Sequence, residues 1–122
     1  MAKILLADDE QHIEMLVRFK LSKEGHSMDY AKDGEEALAM IEAETSDYDA
    51  VILDIMMPVF DGIYVLKKIR ENLRFKDLPV ILLTAKSQEK DVIIGYNAGA
   101  TEYITKPFSP SEFYARIKRH LK

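Results

Sequence analysis

The sequence predicts an α/β layer fold built on a five-stranded parallel sheet. Two observations carry that prediction. Three short apolar runs, Ile4-Leu5-Leu6-Ala7, Ala50-Val51-Ile52-Leu53 and Val80-Ile81-Leu82-Leu83, show no polar alternation, as strands buried on both faces should. Longer amphipathic stretches follow them, and two weaker strand candidates, Ser27 to Ala31 and Glu102 to Thr105, complete a β-α alternation repeated five times. Alternation of this kind implies right-handed crossovers and strands that all run the same way.

Each helix has its own punctuation. The first spans about Glu10 to Glu24, with Ile13, Leu16, Val17 and Leu21 on one stripe and Gly25 as its stop. Asp33 and Glu36 stand at capping-box spacing ahead of Ala37, Met40 and Ile41. Asp61 caps a third helix carrying Val65, Leu66, Ile69 and Leu73, and Ser87 caps a fourth that ends near Gly99. In that fourth helix Ile93 and Ile94 read either as core, the preferred assignment, or as a small apolar partner surface. The last helix starts most clearly, with Ser109 as cap, Pro110 at the first helical position and Glu112 three residues past the cap. Phe113, Ile117 and Leu121 then recur every fourth residue.

Composition bounds the function. A chain of 122 residues, 48% hydrophobic and 31% charged, is one globular domain over 1–122. With no cysteine, disulfides, thiolate metal sites and cysteine nucleophiles are excluded. A net charge of -4 argues against a nucleic-acid binder. Early charges at Asp8-Asp9-Glu10 exclude a secretory signal, and no apolar run is long enough for a membrane span, so a cytoplasmic domain is expected.

The strand ends hold the chemistry. Asp8 and Asp9 follow the first run, Asp54 the third strand, Thr84 the fourth and Lys106 the fifth. A parallel sheet places all of these on one rim, where ligands bind in such folds. Singly, each has an ordinary explanation: Asp9 as a helix cap, Thr84 as a turn hydroxyl, Lys106 as a solvated loop charge. Together they set three carboxylates beside one ammonium. Like charges so placed repel, and a hard divalent cation with oxygen ligands, magnesium, offsets that repulsion while leaving room for a phosphoryl group. His12, one turn into a helix, is assigned to the surface rather than to zinc. A carboxylate can attack phosphorus, and the transfer then needs in-line positioning and charge compensation. Asp54 suits the nucleophile, Lys106 the second cation and Thr84 the hydroxyl donor.

These residues, with Asp54-Ile55-Met56-Met57-Pro58-Val59-Phe60-Asp61-Gly62, Thr84-Ala85 and Lys106-Pro107-Phe108, carry a family resemblance. Over essentially its full length the chain resembles the receiver domain of bacterial two-component response regulators. The resemblance implies a flavodoxin-like fold with strand order 2-1-3-4-5. It implies that Asp54 accepts a phosphoryl group from a sensor histidine kinase or a histidine phosphotransfer protein. Asp9 is expected to ligate magnesium directly, Asp8 largely through water, with Asp54 and the Met56 backbone carbonyl completing the protein ligands; manganese is expected to substitute. Lys106 would pair with the phosphoryl oxygens, and the Lys106–Pro107 bond would be cis. Thr84 would move towards the phosphoryl group, letting Tyr103 swing inward and reshaping helix 4, strand 5 and helix 5. On this view the protein catalyses only its own aspartyl phosphorylation and dephosphorylation and is not an enzyme in the usual sense.

Lys86-Ser87 and Ser109-Pro110-Ser111-Glu112 look like the winged-helix transcription-factor branch, whose receivers dimerise through the face from helix 4 to helix 5. Glu102, Glu112 and Arg116 match its salt-bridge positions, whereas Thr101 and Ala98 supply no charge. By the same analogy a kinase would dock near Gln11 and Met15 and the Pro107-Phe108 loop. Met56 and Lys86 would flank the path of attacking water and slow hydrolysis. The length is expected to leave no room for an output module, and so no direct nucleic-acid contact. Three other classes compete. A magnesium phosphohydrolase usually carries a second acid where Met56 stands; a flavin carrier would be repelled by Asp8-Asp9-Glu10; a degenerate receiver would lack one of the chemical positions, all of which are filled.

Overall fold

The structure, a computed structural model, describes residues 1–121, so Lys122, the last residue of the expected domain, lies outside the described residues. Its elements are β1 (Lys3–Ala7), α1 (Gln11–Lys23), β2 (Ser27–Ala31), α2 (Gly34–Glu42), β3 (Ala50–Leu53), α3 (Gly62–Glu71), a 3-10 turn (Leu73–Phe75), β4 (Val80–Thr84), α4 (Glu89–Asn97), β5 (Glu102–Thr105) and α5 (Pro110–Lys118). The strands form one sheet in the order β2-β1-β3-β4-β5, every pairing parallel. This is the flavodoxin-like, doubly wound architecture. The chain leaves β1 towards β2 on one side and returns to β3 on the other, so the crevice beyond β1 and β3 is the topological switch point.

Strand residues alternate between two apolar layers, which is why no polar alternation marks the sequence. Leu5, Ala7, Val51, Leu53 and Leu82 pack with Ile41 of α2 and Leu66 and Ile69 of α3. Ile4, Leu6, Ile52, Ile81 and Leu83 pack with Val17 and Leu21 of α1 and Phe113 and Ile117 of α5. Asp33, Asp61 and Ser109 cap α2, α3 and α5, accepting the N–H groups of Glu36, Tyr64 and Glu112.

Four expectations need correction. Leu16 is exposed, leaving Ile13, Val17 and Leu21 as the buried stripe of α1. Leu73 is 84% exposed because α3 ends at Glu71 and the 3-10 turn rotates it away from the stripe. The N-cap of α4 is Gln88 rather than Ser87, and its N–H donates to Asp91 Oδ2 at 3.2 Å. Ile93 and Ile94 are not core; they are 51% and 50% exposed. The reason is Gly95, the buried residue of α4. A Cβ there would come within 2.8 Å of the Tyr103 ring and 2.9 Å of Leu82. The helix lies on the sheet along its glycine side and turns both isoleucines outward.

Candidate functional site

The sheet ladder continues one residue past the strands, and that extension aligns the polar groups. Asp54 N–H donates to Ala7 O at 3.0 Å, Lys106 N–H to Thr84 O at 2.8 Å and Asp8 N–H to Ala31 O at 3.2 Å. Asp8, Asp54 and Lys106 therefore come out on one rim, held by backbone rather than by each other. Gly62 lets α3 start against this rim, since a Cβ there would lie 2.3 Å from the Asp54 carbonyl oxygen. In the connecting loop Val59 has φ 69°, a left-handed conformation that β-branched residues rarely adopt. The Lys106–Pro107 peptide is cis.

Lys106 joins the group together. Its Nζ donates to Asp8 Oδ2 at 2.8 Å, Glu10 Oε1 at 2.8 Å and Asp54 Oδ2 at 2.9 Å. The remaining oxygens of both aspartates are also engaged: Asp8 Oδ1 accepts the Glu10 N–H at 2.9 Å and Asp54 Oδ1 the Met56 N–H at 3.1 Å. Asp8 is fully buried and Asp54 and Thr84 nearly or fully so.

Burial pushes the Asp8 carboxyl up from its ordinary value, against the pull of the Lys106 hydrogen bond and the Glu10 N–H. For Lys106, burial disfavours the charge, but bonds to Asp8, Glu10 and Asp54 outweigh it and hold the ammonium well above its ordinary value. Glu10 is lowered, chiefly by its bond to Lys106.

Carboxylate oxygens of Asp8, Glu10 and Asp54 all lie within 4.8 Å of one another. They are hard oxygen donors gathered beside the Lys106 ammonium. Their chemistry fits a divalent cation such as magnesium.

The structure thus brings Asp8, Asp54 and Lys106 together and adds Glu10. Asp9 is exposed, and the three carboxylates within 4.8 Å of one another are those of Asp8, Glu10 and Asp54. Glu10 belongs to the extended backbone at the N-cap of α1, from which its side chain reaches Lys106. Thr84 ends β4 on the same rim, its Oγ1 accepting the Lys86 N–H at 3.3 Å. Tyr103 is buried, not the half-buried strand aromatic of ordinary sheets, and its hydroxyl donates to Lys86 O at 2.6 Å. Met56 and Lys86 are both exposed, as is His12.

At the opposite end of β5, Glu102 is buried and paired within the chain. Its carboxylate accepts from Arg116 at 2.9 Å, Arg119 at 2.7 Å and His120 Nε2 at 2.9 Å. Burial opposes its charge, yet the bonds from His120, Arg119 and Arg116 win and hold it down at about 2. Thr101 Oγ1 accepts the Val80 N–H at 3.0 Å and an Arg70 N–H at 3.3 Å. Among the described residues, no helix is long and apolar enough to cross a membrane.

Comparison with known proteins agrees with this architecture. Residues 4–118 match the family model described as the response regulator receiver domain. The alkaline phosphatase synthesis transcriptional regulatory protein PhoP of Bacillus subtilis (strain 168) is 46% identical over 121 residues, covering 98% of this chain and 48% of that protein. The transcriptional regulatory protein ResD of the same organism is 44% identical over 120 residues, with the same coverage of 98% and 48%. The chain spans about half the length of these relatives. Among solved structures, the Francisella response regulator 1452 receiver domain superposes with a TM-score of 0.89 at 37% identity, covering 98% of this chain and 96% of that one. Chemotaxis protein CheY4 of Vibrio cholerae gives 0.89 at 34% identity and 99% of both chains. A beryllofluoride-activated DrrB receiver domain gives 0.86 at 35% identity, over 98% of this chain and 97% of that one.

Proposed function

The chain belongs to the response regulator receiver domain family, and from that premise we propose that it is a phosphoryl-accepting switch with Asp54 as the acceptor. Receiver domains are signalling switches of two-component systems. The observation that carries the assignment to Asp54 is its setting: a nearly buried carboxylate with one oxygen on the Met56 N–H and the other on Lys106.

In the reaction an Asp54 oxygen attacks phosphorus. The bond from phosphorus to the donor nitrogen or oxygen breaks, and the leaving group departs with the electron pair. Asp54 is aimed by its Met56 N–H bond, so the carboxylate does not rotate away from the incoming group. Lys106 follows the charge outward from the carboxylate to the phosphoryl oxygens, and the Thr84 hydroxyl donates to one of them. Asp8, Asp9 and Asp54 with the Met56 carbonyl would hold magnesium, or manganese in its place. When bound, that ion supplies positive charge opposite the transferring phosphoryl oxygens. Buried Tyr103, bonded to the Lys86 carbonyl two residues from Thr84, carries the change at the rim to α4, β5 and α5.

The donor would be a sensor histidine kinase or histidine phosphotransfer protein, docking over α1 and the Pro107-Phe108 loop in the cytoplasm. Two relatives named as transcriptional regulatory proteins support placement in the winged-helix branch. A homodimer through the α4 to α5 face would then lack ionic partners at Ala98 and Thr101, with Glu102 already paired inside its own chain. A phosphohydrolase is disfavoured by Met56, which leaves no second acid beside Asp54. The test is phosphoryl uptake from acetyl phosphate, read by intact mass. The adduct should form with magnesium and fail to form when a chelator removes it; uptake without any divalent ion would refute the metal's part.

A further inference from the structure

Lys106 has three N–H donors and three carboxylate acceptors, at 2.8, 2.8 and 2.9 Å. Its hydrogen-bonding capacity is full. A phosphoryl oxygen arriving on Asp54 can take an N–H of Lys106 only if one of these bonds opens. The three acceptors are not equivalent. The side chains of Asp8 and Asp54 are 0% and 5% exposed, whereas that of Glu10 is 44% exposed. Asp8 is further fixed by the Glu10 N–H on its other oxygen. A carboxylate released inside the protein would be left without water, while Glu10 falls back into solvent. The exchangeable bond is the one to Glu10.

We infer that Glu10 is a positioning residue: it holds the Lys106 ammonium among the resting carboxylates, and its release limits how fast Lys106 transfers to the incoming phosphoryl group. This rests on Asp54 being the acceptor. The step itself is balanced with acetyl phosphate as donor. An Asp54 oxygen bonds to phosphorus, the bond from phosphorus to the acetyl oxygen breaks, and acetate leaves with the electron pair; no proton or further reactant is required. Glu10 acts on the site through Lys106; its other oxygen lies 3.7 Å from Nε2 of exposed His12. Glu10 is also the N-cap of α1 yet makes no side-chain cap bond, so its removal deprives the helix of no cap.

The experiment uses the full chain with Glu10→Ala and Glu10→Gln at saturating magnesium and excess acetyl phosphate, following the initial rate by intact mass. Glu10→Ala should be about fivefold faster, the rate equivalent of one exposed ion pair of about 1 kcal/mol. Glu10→Gln keeps an acceptor without the charge and should fall between Ala and wild type. A second readout is the Lys106 side-chain ammonium signal in nuclear magnetic resonance, without metal. It should be protected from water exchange in wild type and broadened in Glu10→Ala. Equal or slower uptake in Glu10→Ala, or an unchanged Lys106 signal, overturns the inference. So does a loss of magnesium affinity of roughly tenfold or more by calorimetry, which would make Glu10 part of the metal site, as a ligand or as a partner of one. If wild type takes up no phosphoryl while the Lys106 signal still responds, the acceptor assignment fails and the inference falls with it. Uptake by wild type with equal rates in the variants removes the inference alone.

Discussion

Asp54 divides its two oxygens between a backbone N–H two residues on and an ammonium from the far strand. Much of the site was readable from sequence. Asp8 and Asp54 come directly after apolar strands and Lys106 after the more polar β5, and a parallel sheet brings such positions to one rim whatever their separation. Glu10 was harder, since it stands in the turn between β1 and α1, where neither strand nor helix periodicity assigns its side chain a direction. Asp9 was assigned from family likeness alone. Exposed Met56 and Lys86 lie two residues beyond Asp54 and Thr84, positions that the family likeness sets beside the path of attacking water. The phosphorylated form should therefore last longer than seconds once donor is removed, and Met56→Ala and Lys86→Ala should each shorten that lifetime several-fold. Following the mass adduct over time checks this; decay within seconds, or unchanged lifetimes in the variants, would contradict it.

Among the elements, α4 is where patterning misled. Two adjacent isoleucines argue for burial, but the helix is seated by Gly95, whose missing Cβ is the space the Tyr103 ring fills. Hydrophobicity cannot reveal a packing contact made by an absent side chain. Gly95→Ala gains up to about 1 kcal/mol of helix propensity but drives a methyl to 2.8 Å from the ring. Overpacking of that kind costs about 1–3 kcal/mol, so the variant should be less stable in urea by the difference. It should also lose the Tyr103 hydroxyl bond to Lys86. Unchanged stability would mean that α4 is not seated as described. The caps behaved otherwise: Asp33, Asp61 and Ser109 were legible because a cap is decided within a few residues.

The molecule as a whole separates its charges between the two ends of the sheet. Acid and ammonium meet beyond the carboxyl ends of β1, β3 and β5, and Glu102 gathers Arg116, Arg119 and His120 at the start of β5. Glu102 titrates lower in the folded chain, at about 2, than its ordinary 4.5. Its contribution to stability is therefore present above about pH 4.5 and is lost as pH falls towards about 2. Urea midpoints measured across that window should drop for wild type and drop less for Glu102→Gln; parallel curves would refute the role of this cluster in acid stability. At this scale the five β-α units were legible from apolar runs and helix punctuation. The order β2-β1-β3-β4-β5 was not, because alternation says that strands are parallel without saying which are neighbours. It came only through the family likeness.

The site and the proposed switch both centre on one carboxylate. Intact mass after incubation with acetyl phosphate and magnesium, run on wild type beside Asp54→Asn, tests that most directly. The account predicts one added phosphoryl group on wild type and none on Asp54→Asn. No adduct on wild type, or an adduct that persists in Asp54→Asn, would contradict it.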